Sequence, residues 1–246
     1  MFGAKTFKYT TPILTTLPEH LNGTRALASQ FFHTLCDPNN IETQIDGLSI
    51  LRNSLGLKPP FIIWEPAPLC CKYSNLKICL DSLHLVDVFS PNHLELLGLF
   101  GHSFDDFSKA KIEELSLQII KAGVGGSRQG AVVIRAGEMG CFLASAGTES
   151  VWLPSFYDAR DPSVNDKIKD TTGAGNAFLG GFAVGFSETK NLLKAACYGT
   201  ISASFMLEQI GPPHLDSRSK RCDVELWNGE EPRYRLKLYE ERISNK

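Results

Sequence analysis

The chain has 246 residues, 43% of them hydrophobic, which is enough to bury a substantial core in what we expect to be a single domain covering 1–246. Lys and Arg total 25 against 27 Asp and Glu, a formal charge of −2, so the composition has no bias toward nucleic acid or another polyanion. With no apolar run of about 18 residues and no signal-peptide core in MFGAKTFKYTTP, we expect no membrane association and a soluble protein of the cytoplasm, with the nucleus as a second location.

The fragments Lys5–Thr10 and Phe31–Pro38 read as strands. Between them and the first Pro-rich break, Ile41, Ile45, Leu48, Leu51 and Leu55 recur at helical spacing, and the helix stops before Lys58-Pro59-Pro60. Phe61-Ile62-Ile63-Trp64 is a buried strand, and Glu65-Pro66-Ala67-Pro68 is a rigid loop after it. Another buried strand over 86–89 runs into a helix for which Pro91 suits the first position. A helix near 108–121 puts Ile112, Leu115 and Ile119 on one face, and strands follow at 131–135 and 141–145 around a Gly-containing turn.

Phe178, Phe182 and Phe186 then fall four apart beside Gly181 and Gly185, the pattern of a buried helix that lets a neighbour come close. A second helix over 190–209 carries Leu193, Cys197, Ile201 and Phe205, and Gly211-Pro212-Pro213 ends it. Residues 214–246 form a more polar C-terminal extension, whose Leu236, Tyr239 and Ile243 predict a helix docked on the domain. Its run Arg218-Ser219-Lys220-Arg221 is read as a solvated loop rather than a nuclear-import patch. Strands alternating with helices predict an α/β fold of three αβα layers around a mostly parallel sheet. Seven cysteines, at 36, 70, 71, 79, 141, 197 and 222, form no CxxC pair and are read as reduced thiols.

The chemistry concentrates in Asp170-Thr171-Thr172-Gly173-Ala174-Gly175-Asn176. Gly173, Ala174 and Gly175 let a backbone approach an anion closely and aim successive N–H groups at it, and a helix starting near Asn176 adds its positive end. Tight helix packing is the other reading of such a turn. Asp170 and Thr172 also suit a turn closed by local hydrogen bonds. Asn92 and Glu95, three apart, share a helix face, and a first-turn Glu is by itself favoured by the helix dipole.

Taken together these strings resemble the ribokinase, or pfkB, family of carbohydrate kinases. DTTGAGNAFLGG is similar to the family's DTxGAGDxF signature, and Asn92–Glu95 looks like its NxxE motif. The turn Gly137-Glu138-Met139-Gly140 resembles its GxxG loop. The resemblance implies a ribokinase-like core and ATP-dependent phosphoryl transfer to a sugar hydroxyl. It makes Gly173, Ala174 and Gly175 the anion hole, and Asn92, Gly137 and Gly140 nucleotide-binding residues. Glu95 then acts on Mg²⁺ through water, and Asp170 and Thr172 hold a monovalent cation, K⁺. Asn176 aligns with the family's general base, which an amide cannot replace, so a nucleotide-binding pseudokinase or a truncated, non-enzymatic relic is the alternative to a kinase.

The family's GGxxxN sugar signature occurs nowhere in the sequence. The chain therefore resembles the C-terminal, ATP-binding two-thirds of the family, with the sugar lid incomplete. ATP is the expected ligand and a sugar a doubtful one. A missing N-terminal strand would bare sheet edges, for which a second copy or a protein partner is the expected cover. Trp64-Glu65-Pro66 and the Asn of the glycine motif also resemble a fungal branch of the superfamily.

Overall fold

The computed structural model describes residues 10–12, 16–158, 161, 164, 166–220 and 224–244. Six strands form one sheet in the order of the chain: β1 (Phe31–Cys36), β2 (Phe61–Pro66), β3 (Val88–Phe89), β4 (Ala131–Arg135), β5 (Cys141–Ser145) and β6 (Val151–Leu153). The first four are parallel, with Ile63 opposite Val88 and Phe89 opposite Val132. The hairpin through Gly137–Met139 turns β5 antiparallel to β4, and β6 returns antiparallel to β5.

Parallel neighbours need crossovers, and right-handed crossovers that step steadily across a sheet leave all their helices on one side. Here α1 (Ile41–Ser54), α2 (Leu76–Ser82), α3 (His93–Leu99) and α4 (Lys109–Ala122) cover one face. They pack on Ile62, Trp64, Phe89, Val132, Ile134, Phe142 and Ala144, every second residue of their strands. The intervening residues Ile63, Val88, Ala131, Val133, Cys141 and Leu143 face the other way. That side is covered by α5 (Ala174–Thr189), α6 (Leu192–Met206) and α7 (Pro232–Ser244). Three αβα layers with a mostly parallel sheet result, as the alternation of strands and helices predicts.

Several local expectations shift. Pro91 precedes the helix instead of opening it, because Asn92 is extended (φ −80°, ψ 171°) and caps α3, whose first residue is His93. The helix after the glycine turn begins at Ala174, two residues before Asn176, since Gly173 takes the cap position at φ +82°, where a side chain is strained. Lys190 at φ +53° separates α5 from α6, so the second helix runs from Leu192 to Met206 and not over 190–209. Leu193 lies 40% exposed, and α6 instead buries the small residues Ala195, Ala196 and Gly199 beside Ile201 and Phe205. Small side chains and Gly181, whose Cβ would meet the Tyr198 carbonyl at 2.7 Å, bring α5 and α6 into close contact.

The expected C-terminal helix is α7, and Tyr239, 1% exposed, donates its hydroxyl to the Pro154 carbonyl at 2.6 Å. Arg235 lies beneath it, paired to Glu208 at 2.7 Å and stacked 3.8 Å over the Phe205 ring. Phe31–Cys36 is a strand as expected, whereas residues 5–9 of the other N-terminal fragment lie outside the described residues, as do Arg221 and Cys222. Ser217–Lys220 of the basic run is a short 3-10 turn. All six described cysteines are free, and burial pushes Cys79, Cys141 and Cys197 up to about 12, so these thiols are unreactive at neutral pH. No helix among the described residues is long and apolar enough to cross a membrane.

Candidate functional site

The C-terminal ends of the parallel strands carry charge where the rest of each strand is apolar: Glu65 ends the run Phe61-Ile62-Ile63-Trp64, and Arg135 ends Ala131-Val132-Val133-Ile134. Strand alternation turns both toward the face covered by α5, on the side of Ile63 and Val133. There they pair: Arg135 Nη2 lies 2.7 Å from Glu65 Oε1 and donates to the Ser90 carbonyl at 2.9 Å. Glu65 Oε2 in turn lies 2.8 Å from His33 Nε2 of β1. Burial alone would raise the Glu65 pKa, but the His33 hydrogen bond and the Arg135 charge outweigh it and hold the carboxyl below its usual range.

Asn92 and Glu95 close the cluster from α3. They form a reciprocal capping box in which Asn92 Oδ1 accepts from the Glu95 N–H at 2.9 Å. The Asn92 N–H and Nδ2 each donate to a Glu95 carboxylate oxygen at 2.7 Å. Glu95 Oε2 also lies 3.6 Å from Arg135 Nη2. Burial, opposed by Arg135 and the Asn92 N–H, pushes the Glu95 pKa up to about 7.

Gly175 reaches the same guanidinium from above. A Cβ there would fall well inside contact distance of Arg135 Nη1, with Cζ 3.5 Å away, so any larger residue forces the guanidinium to move. The glycine turn therefore lies directly on Arg135, at the N-terminal, positive end of the sixteen-residue α5. Asn176, third residue of α5, is exposed. Asp170 Oδ1 accepts the Thr172 N–H at 2.9 Å, the local turn that the sequence allowed as an alternative to a cation site.

Gly137 and Gly140 bracket the hairpin two residues beyond Arg135. Gly140, at φ +87°, would drive a Cβ into the Leu153 carbonyl and the Pro154 backbone, so this glycine shapes the hairpin and the chain after β6. The fold thus brings Glu95, held by Asn92, and Gly175 onto one guanidinium. Sequence reasoning missed that guanidinium, along with Glu65 and His33. The available signal was a charge ending a buried apolar run.

Residues 69–217 match the pfkB family carbohydrate kinase model. The chain belongs to the pfkB family of carbohydrate kinases. It is 31% identical over 251 residues to Uncharacterized protein C16C9.01c of Schizosaccharomyces pombe, covering 99% of this chain and 68% of that one. To Protein MAK32 of Saccharomyces cerevisiae it is 31% identical over 211 residues, 85% of this chain and 56% of the relative. These relatives support the fungal branch. Arabidopsis thaliana ribokinase, solved with ribose and ATP, superposes with a TM-score of 0.53 at 20% identity, over 85% of this chain and 55% of that one. The chain therefore spans from just over half to about two-thirds of the length of these three proteins.

Family kinases use ATP and a divalent metal. In this pfkB member both Glu95 oxygens are taken by Asn92, and Arg135 lies beside them. No group of three or more His, Cys, Asp or Glu among the described residues is placed to hold a metal. The described side chains therefore form no all-protein ligand set for a divalent ion.

Proposed function

We propose that this chain is a nucleotide-binding pfkB protein that holds the phosphates of ATP and transfers the terminal one to a sugar weakly or not at all. The carrying observation is the glycine turn at the start of α5, with a buried guanidinium against Gly175 and an exposed amide, Asn176, in place of a base. Backbone N–H groups at a helix start stabilise phosphate in the ground state as well as during transfer, so binding survives without the base.

Turnover does not. Positioned general-base assistance contributes about 10² to 10⁴ in rate, roughly 3–5 kcal/mol of barrier, and an amide accepts no proton. Asp170 is the nearest carboxylate in sequence, but it already accepts the Thr172 N–H. That bond favours a structural over a potassium-binding role for the pair. Magnesium, in this reading, arrives with the nucleotide rather than on a protein ligand set. Leu35 on the outer strand β1 is 58% exposed, and this edge suits a second copy or another protein as cover.

Thermal melting and a coupled ATPase assay test the reading. Mg·ATP should raise the melting temperature while no sugar in a pentose, hexose and polyol panel elicits ATP consumption. Robust phosphorylation of any of them, or no thermal shift with ATP, refutes it.

A further inference from the structure

We infer that Arg135 takes the place of a divalent cation, so that the cradle binds the triphosphate of ATP without metal; this rests on the nucleotide-binding reading above. Metal-assisted phosphate sites set carboxylates behind a cation and phosphate in front of it. Here Glu65 and Glu95 stand behind the Arg135 guanidinium, at 2.7 and 3.6 Å from Nη2, and Gly175 of the anion turn lies in front. The arrangement of charge is the same, but the cation is covalently part of the protein.

The distribution of the guanidinium's hydrogen bonds supports a ligand on the open side. Among the described residues its hydrogen bonds and ion pairs, to the Ser90 carbonyl and the two carboxylates, are all made by Nη2. The Nε atom is buried without a hydrogen-bond partner, and Nη1, against Gly175, has none among the described residues. Buried donors are almost always satisfied, and leaving one unmade is costly. With the side chain only 11% exposed, bulk water is a poor substitute. A phosphate oxygen beside the α5 N-terminus meets the need of Nη1, since a guanidinium and helix N–H groups bind the same anion. Glu95, meanwhile, has both oxygens hydrogen-bonded to Asn92 and a guanidinium beside them.

Isothermal titration calorimetry of the full chain with ATP, in excess Mg²⁺ and in EDTA, tests the inference. The two affinities should agree within about threefold, and Arg135→Gln should weaken metal-free ATP by roughly tenfold to a hundredfold, the loss of one charge-assisted contact. Arg135→Lys, which keeps the charge, should recover part of it. ATP binding only with Mg²⁺ overturns this inference and leaves the nucleotide-binding reading standing, whereas binding under neither condition overturns both. Should Arg135→Gln fail to fold, the wild-type comparison decides: EDTA weakening ATP tenfold or more refutes the inference, and equal affinities support it.

Discussion

Replacing Gly175 by alanine sets two effects of opposite sign against each other. Alanine is better than glycine by roughly 1 kcal/mol in a helix interior, so α5 by itself gains. Its methyl group, however, overlaps Arg135 Nη1. The end of an arginine usually swings away at little cost, but this one is held by Glu65 at 2.7 Å and the Ser90 carbonyl at 2.9 Å, and its side chain is 11% exposed. Outright removal of one partner of a buried pair costs about 3–5 kcal/mol, and a forced displacement costs part of that. The expected net loss is about 2–3 kcal/mol, a fall in melting temperature of roughly 4–12 °C for a chain of this size.

The assay is a double-mutant cycle by urea unfolding: wild type, Gly175→Ala, Arg135→Gln and the double variant. Glutamine is too short to reach the new methyl, so in that background Gly175→Ala should be neutral or stabilising. A coupling of about 2–4 kcal/mol follows. If the two changes add within about 0.5 kcal/mol, Arg135 does not support the turn, and the site described above is wrong in its central contact.

Asn176→Asp places a carboxylate in the first turn of α5, and should stabilise the chain by about 0.3–1 kcal/mol through the helix dipole. ATP consumption with sugars should stay at background, and its appearance would show the missing base to be the only defect. For Glu65→Gln the cost should depend on pH. The folded carboxyl is held below its ordinary value of 4.5, so its stabilisation is present above that pH and is lost as pH falls through the lower folded value. The stability gap between wild type and Glu65→Gln should therefore narrow on acidification from pH 7 to 3, and a constant gap refutes the pairing. Tyr239→Ala empties a buried aromatic site under α7 and should cost about 3–5 kcal/mol, while Tyr239→Phe, losing only the bond to Pro154, should cost about 1 kcal/mol in chemical denaturation.

Periodicity and punctuation alone located most elements, because a strand buried on both faces must be apolar throughout and a packed helix must repeat every three to four residues. Strands 131–135 and 141–145 came out with their observed bounds for that reason, and α4 within a residue at either end. The glycine turn and Asn92–Glu95 were also legible, since helix starts and anion sites demand particular residue types at particular offsets. Helix starts moved by two residues at Ala174 and Pro91, where a cap residue's backbone torsion decides the boundary and leaves no periodic trace.

The meeting of Arg135 with Glu65, Glu95, His33 and Gly175 was not legible. These residues come from three strands and two helix starts far apart in the chain, and only the parallel register of β1, β2, β3 and β4 sets their ends side by side. A lone arginine after Ala131-Val132-Val133-Ile134 looks like a strand's exposed end. Tertiary structure buries it, because two carboxylates delivered by other elements offset the cost of that burial, and so converts an ordinary strand terminus into the floor of the glycine turn.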